Sequence, residues 1–219
     1  MVHRAQGQIL LRKAEVSYNL NGGRCHVKQF GIMLALIMAL YYWSGREISR
    51  PSGVLAPDEP YQREVNSTSI REKSGYRLSL LASFDIRARV IASERYWFDR
   101  GSPLSPVDLV LGWGAMSDST VLKQISISQG GRFYSWWVST LPLPRAEIET
   151  HSANMHMIPA NDEIERQLKS IRAGNMVHLK GYLVEATGKD GFRWKSSLTR
   201  SDAGGGACEL ILVESLFFW

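Results

Sequence analysis

The sequence predicts a mainly β fold with one internal helix, an OB-like small β-barrel, preceded by an N-terminal transmembrane helix. Three observations lead there. An apolar run, FGIMLALIMALYYW (Phe30 to Trp43), follows a basic leader. A period-two alternation of apolar and polar residues is held for fifteen residues from Tyr76. Strand-like segments then lie on both sides of a single amphipathic helix, the order of an OB-type barrel.

Charge orients the N-terminal part. Arg4, Arg12, Lys13, Arg24 and Lys28 face only Glu15 in residues 1–29, a net of +4, and residues 30–43 carry no charge. Of the overall +5, this leaves +1 for residues 44–219. A nearly neutral body is a poor phosphate-backbone binder, which needs clustered Lys and Arg, so a nucleic-acid partner is not expected. The apolar run is shorter than the roughly 20 residues that span a bilayer core. Its one-sided Lys/Arg excess, the Tyr41-Tyr42-Trp43 aromatic belt at the far end and the absence of a small-x-small cleavage site favour an uncleaved anchor over a cleaved signal segment. Lys28 extends the span by snorkelling. The leader (1–29) is then cytoplasmic, residues 30–43 cross a bacterial inner membrane once, and the main domain is periplasmic.

Residues 44–75, with three prolines, several serines and alternating charges, read as a flexible linker. Residues 76–219 are the exported β-barrel-like domain. Tyr76, Leu78, Leu80, Ala82, Phe84, Ile86, Ala88 and Val90 share one face, and only Leu81 breaks the alternation. Such length implies a bent strand or two strands meeting at a kink. VDLVLGWG supplies a second strand after a DRGSPLSP turn, and VLKQISISQGGRFYSWWV a hairpin about Gly130-Gly131. Asn161 as N-cap, the Ile164, Leu168, Ile171 stripe and Gly174 delimit the helix. NMVHLKGYLVEA, FRWKSSLTR and ACELILVES resume the strand pattern, with LFFW packing against the barrel. Cys208, within an apolar strand, reads as a packing residue, and no internal disulfide is expected with Cys25 across the membrane.

The candidate sites centre on HSANMHMIPAN, residues 151–161. His151 and His156 are five apart, a spacing that shares a face on neither a helix nor a strand, so only an irregular loop would aim both at one ion. No metal site and no cofactor are expected. Asn154 and His156 read as loop residues that bond backbone and are available for ligand contact, with Pro159 fixing entry to the helix. A hydrolase, metal-assisted or not, would draw on His151, His156 and Asp202, yet no GxSxG or SxxK motif accompanies them. Trp136 and Trp137 carry more weight. Neighbours on a strand point to opposite faces, so both cannot enter one core. With Arg132 they form a candidate contact surface for a protein or sugar ring.

Together, HSANMHMIPAN, GNMVHLKGYLV, SSLTRSDAGGGACEL and VDLVLGWG resemble a group of uncharacterised bacterial proteins with one N-terminal membrane segment and an exported OB-like domain. The resemblance implies a single exported domain and carries no activity. The expected function is a non-enzymatic, membrane-anchored envelope protein that binds a protein partner or a glycan. The alternatives are an envelope hydrolase on His151, His156 and Asp202, and an OB-type nucleic-acid binder.

Overall fold

The computed structural model describes residues 29–38, 46–65, 69–199 and 208–219. The chain divides into two units, Met1–Gly45 and Arg46–Trp219. In the first, residues 29–38 form a helix (α1) with its side chains exposed. Among the described residues no helix is long and apolar enough to cross a membrane. The leader to residue 28 and the apolar run beyond Met38 lie outside the described residues.

The second unit is mainly β. Its axis is β3, Tyr76–Arg95, a single 20-residue strand whose inward positions Leu78, Leu80, Ala82, Phe84, Ile86, Ala88 and Val90 are all buried, as the alternation requires. A strand this long serves two parts of a barrel only by bending, and register shifts at Leu80/Ala82 and Val90/Ala92 supply the bends. The one residue that breaks the sequence pattern, Leu81, sits in the first of them.

β3 pairs antiparallel with β4 (Val107–Gly112) on one side and β8 (Met176–Gly188) on the other. β4 pairs antiparallel with β7 (Ser152–Pro159), β7 runs parallel to β10 (Glu209–Phe218), and β10 pairs antiparallel with β8. These five strands therefore close a ring in the order β3-β4-β7-β10-β8 and back to β3. Phe84, Ile86, Leu109, Met155, Leu179 and Ile211 fill its interior, each at most 2% exposed. The helix α4, Asp162–Ser170, connects β7 to β8 and inserts Ile164 and Leu168 into the same core. It starts where expected, the Asn161 side chain accepting from Ile164 N at 3.0 Å.

Two expectations are corrected. The stretch read as linker contributes β1 (Tyr61–Glu64) and β2 (Ile70–Lys73), both antiparallel to β3. Ahead of them residues 46–60 run along the barrel as a strap. Ile48 N donates to Ala173 O (2.9 Å), and Leu55 N and Ala56 N both donate to the buried Ser117 Oγ at 2.9 and 3.0 Å. Second, the helix is not alone. Between β4 and β7 lies an insertion holding a 3-10 turn (Gly114–Ser117), α2 (Ser119–Leu122), β5 (Ser126–Gly130), β6 (Phe133–Trp137) and α3 (Arg145–Thr150). α2 and α3, of four and six residues, are too short to leave a helical period in the sequence. The last short strand, β9 (Arg193–Lys195), pairs with β8.

A cleft between an inserted hairpin and the barrel

The β5–β6 hairpin turns at Gly131 and Arg132, with φ of +57° and +74°. Left-handed geometry at both central residues is the two-residue turn whose twist matches its strands. Glycine adopts it freely and arginine does not, so Arg132 needs compensation. Its guanidinium supplies it: Nη1 donates to Asp108 Oδ1 (2.8 Å) and Ser105 O (2.9 Å), while Nε and Nη2 grip the two oxygens of Asp99 at 3.0 and 2.8 Å. The same group lies 3.7 Å above the Tyr96 ring. Burial raises the Asp99 carboxyl, but the Arg132 hydrogen bonds outweigh it and hold the group below its ordinary value.

Asn154 completes this joint. Its Nδ2 donates to Arg132 O (3.0 Å) and its Oδ1 accepts from Gln129 Nε2 (2.8 Å), tying β7 to both sides of the hairpin turn. Beneath it, His156 Nδ1 lies 2.9 Å from Asp108 Oδ2, near enough to pair but out of line for a hydrogen bond, and Trp194 covers the imidazole with ring centroids 4.7 Å apart. Arg132 and Asn154, expected as ligand contacts, thus fasten the hairpin to the barrel, and His156, expected with them, is buried against Asp108 and Trp194. HSANMHMIPAN is not a polar loop: Ser152 to Pro159 is a barrel strand with seven of its eight residues buried.

The two histidines do not meet. His151, at the end of α3, places Nδ1 3.0 Å from Glu147 O and Nε2 2.9 Å from Glu59, beside Trp113, whereas His156 faces Asp108 and Trp194. Asp202 lies outside the described residues. Among those described, no three His, Cys, Asp or Glu side chains converge as a metal site would require. Ser196 Oγ is occupied structurally, donating to Ser197 O and accepting from Leu210 N.

The hairpin stands off from the barrel along one side, leaving an open cleft of about 620 Å³. One wall is β6 and the residue after it, Phe133 through Val138. The other is built from Arg145 and Glu149 of α3, Ser152 to Asn154 of β7, and Cys208 and Glu209 where β10 begins. The parity argument for the tryptophans holds: Trp137 is 65% exposed, while Trp136 packs against the cluster of Met116, Ile125 and Ile148. Tyr134 Oη lies 3.1 Å from Ser152 Oγ. Burial pushes its phenol above the ordinary value, the Ser152 bond opposing and the Glu209 and Glu149 carboxylates adding to the rise. Glu209, only 2% exposed, places a carboxylate at this wall, and nothing in ACELILVES marked it for the role. The arrangement offers aromatic faces, amide and hydroxyl groups and a buried acid.

Comparison with protein-family models, with curated proteins and with solved structures returns no match.

Proposed function

We propose that this chain is a membrane-anchored bacterial envelope protein, its residues 30–43 crossing the inner membrane and its periplasmic OB-type barrel binding a partner, a protein or a glycan, in the cleft beside β6. The cleft is the observation that carries the reading. Large aromatic faces next to a few convergent polar groups are the composition of a recognition surface. The ring order supports the OB-type description: with β3, β4, β7, β8 and β10 as first to fifth, it reads first, second, third, fifth, fourth, with the helix between third and fourth. Among the described residues His151 and His156 sit in separate clusters, which weighs against the hydrolase.

A photo-crosslinking residue placed at Phe133 or Trp137 of the full chain in cells tests this, with Arg87 on the exposed face of β3 as control. Discrete adducts at the two cleft positions and none at Arg87 are expected. Equal yields at all three would remove the cleft from consideration. Membrane-impermeant thiol labelling of Ser128→Cys tests the topology: it labels intact spheroplasts if the domain is periplasmic and only lysed ones if it is not.

A further inference from the structure

We infer that the occupant of the cleft is an extended peptide that adds as a third strand to the outer edge of β6; the inference rests on the binding reading above and names its ligand class. Residues of both parities, Phe133 through Val138 in succession, line the cleft. A strand that presents one face lines a cavity with alternate residues, so β6 presents its edge. Among the described residues that edge has no strand partner, since β6 pairs with β5 alone. In a two-residue hairpin the closing pair, here Gly130 and Phe133, bond to each other, and alternation then turns the amides and carbonyls of Tyr134 and Trp136 outward.

An open edge is a hazard that proteins blunt with charge, proline or a bulge. Three of the other short edge strands are blunted by charge, β1 reading YQRE, β2 IREK and β9 RWK; β5, the hairpin's opposite edge, reads SISQG and is uncharged but does not border the cleft. β6 reads FYSWW, with neither charge nor proline, and its pairing with β5 runs without a register shift. An edge left in this state beside a cleft is a template for pairing. The dimensions agree. β6 offers its five residues, about 17 Å of strand, along the cleft, enough edge for a short extended peptide to pair with. A sugar chain would also find aromatic faces, but it lacks the two-residue repeat of donors and acceptors that the edge presents.

The test uses the full chain in detergent and a random-peptide display library as probe. Enriched peptides are resynthesised in two forms, N-methylated at odd or at even residues, because alternate amides of an added strand point to opposite edges. One form is expected to lose at least about tenfold in affinity and the other to bind within about threefold of the parent, with Trp137→Ala weakening every enriched peptide. Equal binding of both methylated forms would overturn strand addition, and so would binding indifferent to Trp137→Ala. A panel of amino-sugar oligosaccharides is run in parallel. Oligosaccharide binding lost in Trp137→Ala, with no peptide enriched, would overturn the peptide while leaving the cleft as a binding site. If neither ligand shields the thiol of Phe133→Cys from alkylation, the peptide and the cleft fall together.

Discussion

Replacing Arg132 with alanine removes the cation that joins the hairpin turn to the barrel, and its cost follows from the surroundings. Asp108 is fully buried and Arg132 only 16% exposed at the side chain. Stripping one partner from such a pair leaves a buried charge, a loss of about 3–5 kcal/mol. The second arm, to the 39%-exposed Asp99, is screened by solvent and adds at most about 1 kcal/mol. The contact with Tyr96 adds roughly 0.5–1 kcal/mol. Arg132→Ala should therefore cost about 4–6 kcal/mol in urea unfolding followed by tryptophan fluorescence. Arg132→Gly should cost about 1 kcal/mol less, because glycine accepts the φ of +74°. Asp99 fixes the pH signature. Its folded value is depressed, so its contribution is present above the unfolded value near 3.8 and lost as pH falls through the lower folded one. The gap between wild type and Arg132→Ala should narrow in that acid window. In an Asp108→Asn background, where no buried carboxylate is orphaned, Arg132→Ala should cost at least about 1.5 kcal/mol less than alone. A loss below about 1 kcal/mol, or additivity of the two substitutions, would refute the joint.

Other parts of the molecule make equally definite predictions. Ser117→Ala orphans the amides of Leu55 and Ala56, so a loss of about 1–3 kcal/mol is expected; unchanged hydrogen exchange at those two amides would show that Ser117 does not hold the strap. Gly181→Ala sets a methyl group against Leu212 O inside the β8–β10 pairing, where only backbone could yield, and should cost at least about 3 kcal/mol by thermal unfolding. Near-native melting would mean the strands separate easily there. The raised Tyr134 phenol contributes stability that is whole below its unfolded value near 10.0 and is lost as pH rises through the folded value. Tyr134→Phe should accordingly flatten the alkaline limb of the stability curve, and an unchanged limb would exclude Tyr134 as its source.

Much of this fold was legible because one face of each element is buried and the other wet. β3 declared itself through Tyr76 to Val90, and even its bend was marked, since Leu81 occupies a register shift. α4 was legible from its cap and stripe. β7 was not, because Ser152 to Pro159 is covered on both faces, by the core on one and by the inserted hairpin, Trp194 and the cluster around Leu104 on the other, and a doubly covered strand has no alternation to show. Its polar residues looked like a loop; Asn154 is instead satisfied by the hairpin. β1 and β2 were hidden for the opposite reason: YQRE and IREK are exposed edge strands, and their charges imitate a linker. Within the cleft, Trp136 and Trp137 followed from parity alone, whereas Cys208 and Glu209 reach it only because β10 starts beside β7, a parallel pairing that nothing local encodes.

The hairpin is fixed at both ends, and that separates two ways of losing a ligand. At its turn Arg132 and Asn154 bind it to β4 and β7; at its base Trp136 packs with Met116, Ile125 and Ile148. A wall held in this way is ordered before a partner arrives, so binding does not have to supply the cost of ordering it. Trp137→Ala, at a 65%-exposed side chain, should therefore weaken binding with stability within about 0.5 kcal/mol of wild type. Arg132→Gly touches no cleft surface, yet by loosening the turn it should weaken the same ligand while lowering stability. If hydrogen exchange at Phe133 and Ser135, the β6 residues that bond to β5, stays as slow in Arg132→Gly as in wild type, the turn is not what orders β6, and any binding loss in that variant must arise elsewhere.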